Sequence, residues 1–174
     1  MIRATRFSDG KGFILVYDTG VQKGGRITNI SLPAGQTGIG HDYTRSGGNV
    51  SAVTVLALRA SDTRPRLYVF DAITGDRLWV RGLNASWAPI AVRAFQTAGG
   101  AWRVAALTQR GSDERPIVAI YNANTGALID NVLFQAGQTA VDLTIFPDTT
   151  LDTAKQPELG VTMEIVAPLH HGVA

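Results

Sequence analysis

A stretch of fourteen residues, RLYVFDAITGDRLW at positions 66–79, recurs in the chain in recognisable form. It consists of an apolar run, a polar turn and a second apolar run. A later copy, IVAIYNANTGALI, follows 51 residues further on, and an earlier copy begins with FILVYD at 13–18 and has a longer turn. Flanking segments such as SDTRP (61–65) and SDERP (112–116) keep the same spacing. Agreement of several segments on one period predicts a repeat protein.

Each unit of this repeat contains four short apolar runs that are rich in β-branched and aromatic residues and are separated by turn-forming loops. Runs of this kind favour strands, and no stretch shows the apolar periodicity of a helix. We therefore predict an all-β fold of β-propeller-type blades, each a four-stranded antiparallel sheet, with a period of about 51 residues. The predicted single repeat domain comprises units at about 1–33, 34–84 and 85–135, a partial unit at 136–166 and a tail at 167–174.

The turn between the two apolar runs has a defined chemistry. An Asp or Asn at the end of the first strand accepts hydrogen bonds from the following backbone, and the glycine supplies a positive φ. The apolar residue three places after the glycine, Leu78 or Ile129, is expected to re-enter the core. The residues assigned to these structural turns are Asp18, Asp71, Thr74, Gly75, Asn122, Thr125 and Gly126.

The predicted strands begin and end in the middle of a blade. Three interpretations follow: an excerpt of a longer propeller, an open arc whose ends meet another chain, or a small distorted closed ring. Open edges with apolar residues such as Leu159, Val161 and Met163 are templates for strand pairing, although Arg3 and Arg6 partly block the other edge. We expect self-association or a protein partner at these edges.

Composition excludes several classes of function. The net charge is +2 without a basic run, so no nucleic-acid binding is expected. The absence of cysteine excludes disulfides and thiolate metal sites. No apolar run reaches the length of a membrane span, and no signal peptide is visible. An extracellular, cell-surface or periplasmic location is favoured by the fold type alone.

The segment FDAITGDRLW at 70–79 resembles the repeat of quinoprotein-like propellers, which bind pyrroloquinoline quinone in some members. It matches that repeat at Asp71, Thr74, Gly75 and Trp79, while the later copy has Asp130 at the tryptophan position. The resemblance implies propeller blades and implies that Trp79 docks between neighbouring blades. The carboxylates and calcium ion that hold the quinone have no equivalent here, so no cofactor is expected.

Two loop aromatics, Trp87 and Trp102, are the candidate ligand-binding residues. Exposed indoles bind sugars or proteins by stacking, and they equally serve as packing between blades. We therefore expect a non-enzymatic structural or protein-interaction module of a larger assembly, and as the alternative a carbohydrate-binding or adhesive surface protein.

Other patterns are weaker. The segment 148–161 resembles a degraded calcium loop, but it contains Lys155 and lacks a glycine within the ligand positions, so a solvated loop is favoured. His41 and Asp42 have the side chains of an acid–base pair, but no further catalytic residue lies at a motif spacing, so a substitution at the end of a strand is favoured. The adjacent residues His170 and His171 point to opposite sides of an extended chain, which disfavours a shared metal ion. No catalytic or metal site is expected. Three sequons occur at Asn29, Asn49 and Asn84.

Overall fold

The computed structural model describes residues 2–5, 12–17, 26–46, 49–97, 99–146 and 160–166. Every regular element in these ranges is a β-strand, which confirms the predicted all-β class. The strands are β1 (Ile2–Thr5), β2 (Gly12–Tyr17), β3 (Arg26–Ser31), β4 (Gln36–Ser46), β5 (Asn49–Arg59), β6 (Pro65–Asp71), β7 (Arg77–Gly82), β8 (Trp87–Gln96), β9 (Trp102–Arg110), β10 (Arg115–Asn122), β11 (Leu128–Leu133), β12 (Thr139–Phe146) and β13 (Gly160–Val166).

The strands form four antiparallel sheets in which sequence neighbours pair with each other. The first sheet contains β1–β3, the second β4–β7, the third β8–β11 and the fourth β12–β13. The second and third sheets are complete four-stranded meanders, and their short loops explain why each strand pairs with the next one along the chain. The described part of the chain contains no helix of the length and apolarity needed to cross a bilayer.

Hydrophobic clusters fill the spaces between successive sheets. Ile14 and Ile30 of the first sheet pack with Val53 and Val55 of the second. The opposite face of β5 contributes Leu56 to a second cluster, which it shares with the third sheet. A third cluster joins the third sheet to the fourth. Both faces of the central strands are therefore buried, and this explains why β5, β6, β9 and β10 are almost continuously apolar rather than alternating.

Irregular positions recur at a constant spacing. The strand register shifts at β-bulges around Ile39 of β4, Ile90 of β8 and Val141 of β12, each 51 residues from the last. A second set of bulges at Ile27, Leu78 and Ile129 has the same spacing on β3, β7 and β11. A bulge bends its strand and increases its twist, so the equivalent strands of these sheets are bent at equivalent points.

The first strands of the last three sheets lie side by side. The backbone N–H of Ala94 on β8 donates to the Asp42 carboxylate on β4 at 2.7 Å. Arg93 on β8 binds both carboxylate oxygens of Asp142 on β12, at 2.8 and 3.0 Å. Side-chain hydrogen bonds therefore hold β4, β8 and β12 in one row, with the remaining strands of each sheet extending outward from it.

Candidate functional site

The turn of the second sheet is closed by the Asp71 side chain. Its Oδ1 accepts hydrogen bonds from the backbone N–H groups of Ile73 and Thr74, both at 2.8 Å. Gly75 has a φ of 81° and donates its N–H to the Asp71 carbonyl at 3.0 Å. The backbone hydrogen bonds from Thr74 and Ile73 stabilise the charged form and hold the pKa of Asp71 below its ordinary value.

The turn of the third sheet has the same geometry with a neutral acceptor. Asn122 Oδ1 accepts from the backbone N–H groups of Asn124 and Thr125 at 2.9 and 3.1 Å. Gly126 has a φ of 67°, a conformation that glycine adopts without steric cost. The predicted turn residue Asp18 lies outside the described residues. The Asp and Asn turns are therefore built alike, and only the first carries a charge.

Each of these turns receives a side chain from the last strand of the preceding sheet. Trp79 on β7 donates its Nε1–H to the Ala123 carbonyl at 2.8 Å, and its ring lies on Gly126. A Cβ added to Gly126 would come within 2.8 Å of the indole. The equivalent contact of the preceding pair of sheets places Thr28 on Gly75, at 3.0 Å from the position of an added Cβ. The glycine is therefore required for close approach as well as for φ.

The expectation that Leu78 and Ile129 re-enter the core is wrong. Leu78 is 52% exposed and Ile129 is 48% exposed. Both are the unpaired residues of β-bulges, and the next residue takes up the inward position in the second sheet but is exposed in the third. In the second sheet that residue is Trp79, which is 8% exposed. The bulge, which the apolar pattern does not reveal, shifts the inward face by one residue.

A cavity of about 670 Å³ opens between the second and third sheets. Its walls come from the β4–β5 hairpin, the β8–β9 hairpin, β7 and the turn after β10. The lining residues are Thr44, Arg45, Ser51, Ala52, Leu78, Gln96, Gly100, Trp102, Ala123 and Asn124. The volume lies within the range of small-molecule sites, and half of these ten lining residues have polar side chains.

Trp102 is the aromatic residue of this cavity. It is partly buried, packs against the core cluster shared by the second and third sheets, and also lines the cavity. It stands 51 residues after Ser51, which lines the same cavity from the neighbouring hairpin. Arg45 and Gln96 are related by the same spacing. The site therefore consists largely of two equivalent hairpin ends whose side chains differ.

Trp87 does not share this cavity. It pairs with Arg110 at one end of the β8–β9 hairpin, whereas Trp102 pairs with Gln96 at the other. The structure therefore separates the two sequence-predicted aromatics by the length of a sheet. Sequence reasoning missed Arg45, Gln96 and Asn124, because single polar residues at strand ends and in turns carry no individual signal. Alignment of the repeat copies places Trp102 at the position of Ser51, and this difference is the sequence signal that could have located the cavity.

The remaining candidates that the structure describes have structural roles. The Asp42 carboxylate accepts hydrogen bonds from the backbone N–H groups of Tyr43 and Ala94, so it has a structural role beside His41. The loop at 148–159 and the pair His170-His171 lie outside the described residues. Among the side chains that the structure describes, no group of three or more potential ligands could hold a metal ion. Asn84 uses its Oδ1 to accept hydrogen bonds from Ser86.

No protein-family model matches the sequence, and no curated protein is similar to it.

Proposed function

We propose that the chain is a non-enzymatic structural or protein-interaction module, built from propeller-type blades and belonging to a larger assembly. The observation that carries the proposal is the repeated joint between sheets, in which a last-strand side chain docks on the next glycine turn. Thr28 and Trp79 occupy two such joints. Asp130, the equivalent residue of β11, is exposed. A further turn or sheet would complete that third joint.

The propeller interpretation, including the resemblance to quinoprotein-like repeats, is supported by three features. The sheets stack face to face in chain order, their bulges recur every 51 residues, and their first strands form one inner row. Meanders of four strands arranged in this way are typical of propeller blades. The conserved geometry of the two described turns further supports a common unit.

The exposed surface of β11 supports a role in assembly. Leu128 and Leu133 are each 53% exposed, and Ile129 beside them is 48% exposed. Neighbouring apolar side chains on a surface strand favour a protein contact. On β7 the residue equivalent to Ile129, Leu78, is also 52% exposed, but Trp79 beside it docks on the third sheet.

Sedimentation velocity of the full chain at micromolar concentration tests the self-associating form of this proposal. The wild type should sediment as a species larger than a monomer. The double variant Leu128→Lys/Leu133→Lys should shift it toward the monomer, because lysine opposes burial of that surface. Ile73→Lys, at a 69% exposed position on the turn of the second sheet, is the matched control and should change nothing. A wild-type monomer without aggregation would contradict self-association.

A second function, binding of saccharides, is favoured by the cavity at Trp102. An indole surface beside amide, hydroxyl and guanidinium groups suits a sugar, which presents both apolar faces and hydroxyl groups. Titration of tryptophan fluorescence with a glycan panel tests it. The response should persist in Trp87→Phe, since Trp87 lies at the other end of the sheet, and should be lost in Trp102→Phe. An unchanged response in Trp102→Phe would exclude this site.

A further inference from the structure

We propose that the cavity between the second and third sheets takes saccharides that carry an anionic group, a carboxylate or a sulfate, which Arg45 binds. The inference rests on the saccharide-binding function proposed above and specifies its ligand class. The lining of the cavity carries a positive charge. Among the lining residues that the structure describes, Arg45 is the one charged side chain, and none is Asp or Glu. The cavity described here therefore favours an anion over a cation.

The guanidinium of Arg45 is held in place without being neutralised. It lies 5.1 Å from the centre of the Tyr43 ring and donates one hydrogen bond to the Tyr43 hydroxyl at 3.0 Å. Among the described residues it forms no ion pair. Arg59, Arg93 and Arg110, in contrast, are each paired with an aspartate. Arg45 thus keeps most of its five donors available for the two oxygens of a carboxylate or sulfate group.

The neighbouring polar groups suit hydroxyl groups rather than further charges. The Thr44 and Ser51 hydroxyls bond to each other at 2.9 Å and can each still interact with a ligand. Gln96 donates its amide N–H to the Gly100 carbonyl, which leaves its Oε1 free to accept. The exposed side-chain amide of Asn124 supplies another donor and acceptor. Groups that both donate and accept are those that sugar hydroxyls require.

An acidic peptide could also present a carboxylate to Arg45. The mixture of hydroxyls and amides around a single aromatic side chain favours a saccharide. A peptide would instead be expected to use the unpaired edge of a strand or several apolar pockets. We therefore assign a saccharide as the ligand, and the test includes an acidic peptide as the competing ligand.

The test compares two forms of one ligand with the full chain. An oligogalacturonide and its methyl ester share the same sugar backbone but differ in charge. Calorimetric titration should show the acid binding at least about tenfold more tightly than the ester, as expected for charge-assisted hydrogen bonds to a guanidinium. Arg45→Gln should reduce acid binding to the level of the ester. Arg64→Gln, which removes an exposed arginine at the other end of the sheet, is the matched control and should retain the preference.

The outcomes separate the inference from the function on which it rests. Equal binding of acid and ester by the wild type overturns the anionic class and leaves the saccharide site standing. Failure of both to bind, together with failure of the neutral glycan panel, overturns both proposals. A sulfated galactan oligomer binding more tightly than the acid, with the same dependence on Arg45, supports the anionic class and identifies the sulfate. An oligoglutamate binding as tightly as the acid overturns the saccharide assignment. Asn124→Ala should weaken acid and ester equally, which provides a second variant if Arg45→Gln does not fold.

Discussion

Two joints between neighbouring sheets share one geometry and use very different residues. Between the first and second sheets, Thr28 lies on Gly75, while between the second and third sheets, Trp79 lies on Gly126. Both glycines have positive φ and close turns with the same hydrogen-bond pattern. The receiving turn is therefore constant, and the docking side chain is what varies.

The difference shows what determines the strength of a joint. An indole buries roughly 150–250 Å² of surface, which corresponds to about 4–6 kcal/mol of transfer free energy, whereas threonine buries much less. Trp79 also satisfies the Ala123 carbonyl with its N–H. Arg81 donates from its Nε to the Gly126 carbonyl at 2.7 Å and reinforces the same joint. The second joint should therefore contribute more to the free energy of unfolding than the first.

The largest expected effect comes from removing the indole. Trp79→Ala should lower the free energy of unfolding by about 3–5 kcal/mol, because it leaves a cavity and an unsatisfied carbonyl. Thr28→Ala should cost no more than about 1 kcal/mol. Urea melts followed by circular dichroism measure both. Leu78→Ala, at the half-exposed neighbouring position, is the control and should stay within about 0.5 kcal/mol. Equal losses of unfolding free energy in Trp79→Ala and Thr28→Ala would show that the docking side chain does not determine the strength of the joint.

The receiving glycines should differ by a smaller amount. Gly75→Ala introduces a Cβ at positive φ, at a cost of about 1–2 kcal/mol. Gly126→Ala carries the same backbone cost and also drives the Cβ into the Trp79 ring, which should add about 1–3 kcal/mol. The same urea melts measure the difference. In a Trp79→Ala background the additional cost of Gly126→Ala should disappear, so an undiminished cost would show that the indole is not its cause.

The parts of this molecule that are encoded locally are those that the sequence reveals. Short apolar runs separated by turn residues predict strands, and the all-β class follows from them without knowledge of the packing. The chemistry of the turn from Asp71 to Gly75 lies within five consecutive residues and can be read for the same reason. The error at Leu78 and Ile129 arose because a bulge is set by the pairing of two strands, and strict alternation places the wrong residue inside.

The cavity could not have been predicted from single positions. Its lining combines two hairpin ends, one outer strand and a turn that are brought together only when the second sheet stacks on the third. Trp102 stands out in the sequence because aromatic residues in or next to loops serve binding by stacking. Arg45 and Gln96 lie at strand ends and Asn124 lies in a turn, where polar residues are ordinary, and only their common location gives them a role. Trp87 illustrates the opposite case, since an equally conspicuous residue lies away from the site.

The acceptor side chains of the two turns should have similar and smaller effects. Asp71→Ala removes the hydrogen bonds to Ile73 and Thr74 and should cost about 1 kcal/mol in the free energy of unfolding. Asn122→Ala removes the matching pair in the third sheet and should cost about the same. If either variant melted like the wild type in urea, its turn hydrogen bonds would contribute nothing to stability.

The smallest expected effect is a pH dependence of stability, because the turn at Asp71 carries a charge and the turn at Asn122 does not. The folded state holds the pKa of Asp71 below its ordinary value, chiefly through the backbone hydrogen bonds from Thr74 and Ile73. A lowered carboxyl pKa contributes stability above the unfolded-state value, and that contribution is lost as the pH falls through the folded-state pKa. Asp71→Asn copies the neutral acceptor of Asn122 and should remove this dependence. The difference in unfolding free energy between the wild type and Asp71→Asn should therefore be constant near neutral pH and change below about pH 4.

The reciprocal variant Asn122→Asp completes the test, because it should install the same acid-sensitive contribution in the third sheet. Other carboxylates, such as Asp113 beside Arg110, titrate in all of these proteins and cancel in the differences. Urea melts from pH 7 to pH 3 supply the measurements. A difference between the wild type and Asp71→Asn that does not vary with pH would show that the Asp71 hydrogen bonds do not distinguish a carboxylate from an amide. The two turns would then be equivalent in charge response as well as in shape, and only the docking residues Thr28 and Trp79 would distinguish the joints.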